Sequence, residues 1–323
     1  MSGSHRCLMS GAAFVMTAFV AGCAGVQQSG APSAPAGRVS GMFNEPKADL
    51  TSSDRARSSD LLYVSNGGAY VYVFSYPALK KVQRLSIPEP EGLCSDSKGD
   101  VFVTAWNDDD PPEIFEYAHG ASSPTQTLQD YADDPMGCSV DSTTGDLAVA
   151  NLAGDIAVYK NASGTPTAYT SPDFTSMDYC GYDDHGNLYV DGEGQASGPV
   201  LLGELPRGKE HIATLRLKEN TGVPGEVQWD GQYMTVANPL SSVLYRLKVS
   251  GLSVTLVGTT SLTGYQAYDV QSWIQGGVIM AQYGKKPAQL GLWQYPKGGK
   301  PNRIVAKVFR AKSDSLGGVT VSI

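Results

Sequence analysis

The chain has 323 residues and a formal net charge of −8 at pH 7, with 37 glycines, 19 prolines and five cysteines. The acidic balance, with no Lys/Arg cluster on a candidate recognition element, argues against nucleic acid as a partner.

Residues 1–23 read as an export signal. Arg6 gives a weakly positive start, and Leu8 to Ala21 is an apolar, small-residue run too short to span a bilayer. It ends Val20-Ala21-Gly22-Cys23. This tetrapeptide resembles the lipobox of bacterial lipoproteins, in which the cysteine is lipidated and becomes the new N-terminus. The resemblance implies lipidation at Cys23 and a membrane partner through that anchor. Ala24, rather than Asp, follows the cysteine, which by the same resemblance implies the outer membrane. An ordinary secretory signal cut at a small-residue site is the other reading.

Residues 24–60 form a tether. GVQQSGAPSAPAGRVSG is rich in Gly, Ser, Ala and Pro, and ADLTSSDRARSSD follows with mixed charge. Neither can bury enough apolar surface to offset the entropy of ordering. A coil of this length reaches roughly 30 Å.

From Leu61 to Ile323 the chain becomes short strands and turns. A unit recurs: EGLCSDSKGDVFVT (91–104), MGCSVDSTTGDLAVAN (136–151), YCGYDDHGNLYVDG (179–192), PGEVQWDGQYMTVAN (224–238) and, more loosely, YQAYDVQSWIQGGVIMAQ (265–282). Its turn glycines Gly99, Gly145, Gly186, Gly231 and Gly276 stand 46, 41, 45 and 45 residues apart. A second series, a third strand ending at Tyr76, Tyr117, Tyr159, Leu205, Leu247 and Tyr295, repeats at 41, 42, 46, 42 and 48 residues. All-β repeats with a period in the forties predict a propeller, and 263 residues at about 44 each predict six blades. The C-terminal LGGVTVSI resembles the first half of the unit, and the opening LLYVSN its second half. One blade therefore takes strands from both termini, a velcro closure that leaves no free sheet edge at the seam. An open sandwich or solenoid is the competing architecture.

The Gly–apolar–x–x–Asp–turn–Gly–(Asp/Asn)–apolar–x–Val core, clearest at Gly92 to Val103 and Gly137 to Val149, resembles the NHL repeat. It is also distantly similar to the six-bladed calcium-dependent phosphotriesterase-like superfamily that includes gluconolactonases. The resemblance implies an all-β, six-bladed propeller over 61–323. It also implies that a Glu-Gly pair opening an inner strand, here Glu91-Gly92, supplies a ligand to a divalent cation such as calcium. Asn151 and Asn238 are its plausible companions. Leu93 stands where that family has proline.

The remaining chemistry has two readings at each point. Cys94, Cys138 and Cys180 fall at nearly the same place in three successive units. They read as small buried hydrophobes, with a thiol or metal trio, or one disulfide and a leftover thiol, as alternatives. Asp96, Asp100 and Asp183-Asp184-His185 sit in the unit's turn, where Asp accepts backbone hydrogen bonds. Asp108-Asp109-Asp110 is either a solvated loop or a cation site. After the second strand of each unit come Asn66, Asn151, Asn238 and Gln282 in register, with Asn107 and Asp191 one step away. They form either a polar ring at the channel mouth or turn caps. No G-x-S-x-G, H-E-x-x-H or P-loop pattern occurs, and no histidine constellation suggests a general base. The expectation is a non-catalytic binding or scaffolding module without a cofactor, engaging a carbohydrate, peptide or envelope protein. The alternative is a metal-dependent lactonase or esterase-like hydrolase.

Overall fold

A computed structural model describes residues 60–106, 111–131, 134–194, 200–218, 222–265, 271–284, 289–305 and 316–323. Cys23, Asn107 and Asp108 to Asp110 lie outside the described residues.

Six four-stranded antiparallel sheets form six blades. The inner strands of blades 2 to 6 are Pro90–Ser95, Pro135–Val140, Tyr179–Tyr182, Val227–Trp229 and Trp273–Gln275. Blade 1 takes its inner strand, Val319–Ser322, from the C-terminus, paired with Leu61–Ser65 from Leu61↔Ser322 to Val64↔Val319. Each inner strand touches the next around a closed circuit, including blade 6 to blade 1 and blade 1 to blade 2. The molecule is a six-bladed β-propeller with velcro closure. The only helix among the described residues is the single 3-10 turn Lys160–Ala162.

Both repeat series have physical counterparts. The five turn glycines all take positive φ, from +60° at Gly276 to +94° at Gly231, where a side chain is strained. At the start of four of those turns Asp96, Asp141, Asp183 and Asp230 each accept backbone N–H groups, as with Lys98 N and Asp100 N on Asp96 Oδ1 at 2.9 Å. The turn aspartates are therefore folding residues first. The third strands Tyr70–Ser75, Glu113–Tyr117, Asp155–Tyr159, Val200–Leu205 and Gln289–Gln294 end at or one residue short of the second series. In blade 5 the strand Val243–Ser250 runs on past Leu247 into a longer hairpin with Ser253–Ser261.

There is no single core. Apolar layers fill the spaces between adjacent blades, such as Tyr63, Val71, Val73, Leu93, Val101 and Val103 between blades 1 and 2. Near the axis space runs out. A Cβ on Gly92 would come within 2.3 Å of the Met136 carbonyl oxygen, and one on Gly181 within 2.6 Å of that of Val227. This crowding explains glycine on the innermost strands.

Candidate functional site

The inner strands enclose a cavity of ≈ 400 Å³ on the axis, lined by residues of all six blades. Its mouth lies at the inter-strand turns, among Ser142, Asp184, Asp230, Gly231, Gln275 and Gly276. Its floor holds Cys138, Cys180, Glu226, Gln271 and Ser272.

Gln271 closes the floor. It belongs to blade 6, yet its Oε1 accepts from Leu93 N at 3.0 Å and Cys138 N at 3.2 Å, in blades 2 and 3. Its Nε2 donates to the Cys138 carbonyl at 2.7 Å. Blades 6 and 3 are opposite in the ring, so this side chain spans the axis and plugs the channel.

Glu226 stands beside it, 2% exposed, with Oε2 accepting from Ser272 N at 3.0 Å. Burial, aggravated by Asp191, pushes its carboxyl well above the usual carboxylate range. Asp191 is fully buried and likewise raised by burial, then by Asp178, although Tyr179 N and Gly225 N donate to it at 3.1 and 2.7 Å. The Ser272 hydroxyl is buried with no hydrogen-bond partner among the described residues. Gln228 and Ser139 spend their side-chain oxygens on the next blade, accepting from Ile274 N at 2.7 Å and Tyr182 N at 3.1 Å. Trp229, Trp273 and Tyr182 supply the aromatic wall.

Two of the three inner-strand cysteines are covalently joined. Cys94 and Cys138 form a disulfide across blades 2 and 3, and Cys180 is a free, buried thiol. The expectation of three small hydrophobes therefore holds only for Cys180, and the alternative of one disulfide with a leftover thiol is what forms. Neighbouring inner strands bring Cys94 and Cys138 to a Cα separation of 5.7 Å, within disulfide reach. Burial pushes the Cys180 thiol far up, with Glu226 and Asp191 adding to it, so it is a poor nucleophile.

The polar ring expected at the channel mouth is at the other strand end from this cavity. Asn66, Asn151, Asp191, Asn238 and Gln282 are all buried. Asn66 Oδ1 accepts from Ala69 N and Tyr70 N at 3.1 and 2.9 Å, and Asn238 Oδ1 from Ser241 N at 3.0 Å. Gln282 Oε1 accepts from Leu316 N at 3.0 Å. Asn151 faces Asp155 across its strand pair, and both polar atoms of its buried carboxamide have no hydrogen-bond partner among the described residues. Asn66 and Asn238 thus cap turns, while Asp191 and Gln282 tie one blade to the next. Glu91 is half-buried at the same end, its carbonyl accepting from Ser65 Oγ at 2.6 Å. Among the described residues the one cluster of three potential acidic or imidazole ligands is Asp183, Asp184 and His185, in which Asp184 and His185 are exposed, with Nδ1 2.7 Å from Oδ1.

Sequence reasoning does not single out Glu226, Gln271 or Ser272. One signal is present for the first of them. Four residues before the turn aspartate, blades 2 and 3 have Gly92 and Gly137, whereas blade 5 has Glu226.

No protein-family model and no curated relative matches the sequence. Solved structures do match in shape. A chain of a nidogen/laminin complex aligns with TM-score 0.65 at 13% identity, over 82% of this chain and 98% of that one. A protein of unknown function from Bacteroides caccae gives 0.62 at 13%, over 82% and 99%. A putative 6-phosphogluconolactonase from Bacteroides uniformis gives 0.54 at 12%, over 80% and 85%. Likeness at this identity shows the fold alone.

Proposed function

We propose that this is an exported, lipid-anchored, NHL-like propeller acting as a non-catalytic binding module, with its ligand in the axial cavity at the turn face. One observation carries the reading. The cavity is concave, closed at its floor by Gln271, and walled by aromatic and polar side chains, the usual makeup of a ligand site. Its buried thiol is not an activated nucleophile, and its described lining contains no histidine to serve as base. Export is supported by the Cys94–Cys138 disulfide, since such bonds persist in oxidising compartments. The Cys23 anchor and the tether would hold the propeller off a membrane surface. Carbohydrate, peptide and envelope protein are the candidate ligand classes.

The test is a blocked mouth. Gln275 is exposed and lines the entrance, so Gln275→Trp fills the opening without touching the core. Ligands found by glycan and peptide array should lose at least about tenfold in affinity with thermal stability unchanged. Undiminished binding by this variant would remove the cavity from the reading.

A second reading, a metal-dependent lactonase, draws on the shape likeness to a putative 6-phosphogluconolactonase and on Glu91-Gly92. It requires Glu91 and the buried Asn residues to converge on one cation with oxygen ligands at about 2.3–2.6 Å. The carboxamide oxygens of Asn66, Asn238 and Gln282 are instead taken by backbone N–H groups, which leaves Asn151 as the one ring carboxamide whose oxygen has no partner among the described residues. Metal analysis and lactone hydrolysis by wild type and Glu91→Gln decide between the two.

A further inference from the structure

We propose that the axial cavity takes an organic cation, an alkylammonium group of the kind a lysine side chain presents, with Glu226 as its counter-ion at the floor. This rests on the binding reading above and specifies its ligand class.

The charges point that way first. Asp183, Asp184, Glu226 and Asp230 line the cavity, and no Lys, Arg or His is among its described lining residues. The adjoining groove between blades 2 and 3 adds Asp96, Asp100, Glu116 and Asp141 against Lys98 alone. Arg246 balances Asp230 and Arg207 acts on Asp141, yet carboxylates still outnumber cations at the turn face, a balance that favours cations over anions.

Most of those carboxylates are already committed. Asp183 accepts from His185 N, Asn187 N and Asn187 Nδ2. Asp230 binds Arg246 Nε at 2.7 Å and the Tyr295 hydroxyl at 2.6 Å. Glu226 differs. Only Ser272 N donates to it, through Oε2, and Oε1 has no hydrogen-bond partner among the described residues.

The independent observation is Ser272 itself. This residue is 2% exposed and lines the same cavity, and its hydroxyl has no hydrogen-bond partner among the described residues. A buried polar atom left unmatched costs free energy. An ammonium between Glu226 Oε1 and Ser272 Oγ would satisfy both, since three N–H donors meet two acceptors. Trp229 and Trp273 line the wall, and an aromatic face attracts a cation.

The protonation state fits as a consequence. Asp191, Cys180 and Tyr265 are the titratable groups coupled to Glu226, and no cation is among them. In the free protein, burial pushes the Glu226 carboxyl well above the usual carboxylate range. An arriving ammonium favours the carboxylate, so the proton leaves to solvent as the ligand binds.

The experiment uses full-length protein, with Nα-acetyl-lysine amide and its Nε-acetylated counterpart as probes. Calorimetry in two buffers of different ionisation heat counts the protons released. The amine should bind at least about tenfold tighter than the acetylated probe, releasing protons near neutral pH. Glu226→Gln should erase that preference, a loss of roughly tenfold to a hundredfold. Ser272→Ala should weaken the amine several-fold, which gives a second readout should Glu226→Gln fold poorly. Equal affinity for the two probes overturns the cation inference and leaves cavity binding standing. The cation inference also falls, with cavity binding intact, if only neutral ligands bind and Gln275→Trp blocks them. If the array ligands bind and Gln275→Trp leaves them undiminished, the cavity reading falls together with this one.

Discussion

Gln271 and Cys138 face each other across the propeller axis and are joined twice, Oε1 accepting from Cys138 N at 3.2 Å and Nε2 donating to Cys138 O at 2.7 Å. Opposite blades of a ring are otherwise held only through their neighbours. Gln271→Ala should cost about 1–3 kcal/mol, because backbone groups near the axis lose their partner. That corresponds to a midpoint lowered by roughly 2–12 °C in a chain of this size. A thermal melt of the variant overlapping wild type would show that water replaces the amide at no cost.

The Cys94–Cys138 disulfide closes a loop with a sequence separation of 44. Cys94→Ala with Cys138→Ala should lower stability by about 2–4 kcal/mol in denaturant titrations. In the wild type, Cys180 should resist alkylation until denaturant is added, since it is buried with its thiol pushed far up. Peptide mapping that finds Cys180 in the disulfide, or Cys94 alkylated under native conditions, contradicts this pairing.

Two buried acids set the alkaline side of the stability profile. Glu226 and Asp191 have folded pKa values raised well above 4.5 and 3.8. The native state then binds protons that the unfolded state has released, so stability falls as pH climbs above about 4. Each such group contributes at most about 1.4 kcal/mol per pH unit within that window. Glu226→Gln should flatten the decline and be more stable than wild type at pH 8. Parallel urea titrations at pH 5 and pH 8 measure the difference.

Asp230 governs the acid side. Its side chain is 1% exposed and ion-paired to Arg246 at 2.7 Å, and hydrogen bonds from Tyr295, Tyr233, Arg246 and Gln232 outweigh burial and hold its carboxyl below 3.8. This contribution is present above the ordinary aspartate value and is lost as pH falls through the lower folded one. Asp230→Asn should cost on the order of 2–4 kcal/mol at pH 7, and less at pH 3. A cost independent of pH would argue that the carboxylate charge is not what matters.

Cys23→Ser should release the protein from the membrane fraction if that cysteine carries the anchor. Unchanged fractionation would remove lipidation from the proposed function.

Much of the fold was legible in the sequence because it is periodic. Most turns place a glycine at positive φ after an aspartate that caps backbone N–H groups, so pairs such as Asp96 with Gly99, and Asp183 with Gly186, mark their blades locally. Complementary half-units at the two ends likewise announced the pairing of Leu61–Ser65 with Val319–Ser322. What the sequence could not decide was the direction each polar side chain takes. Asn66, Asn238 and Gln282 share a register, yet whether that register faces a channel or a turn depends on the backbone N–H groups that folding brings beside them. Glu226, Gln271 and Ser272 come from blades 5 and 6 and meet Cys138 of blade 3 only when the ring closes. Spacing along the chain encodes each blade, because turn and strand preferences act over a few residues. The axial cavity belongs to no blade, and its chemistry exists only where six inner strands converge.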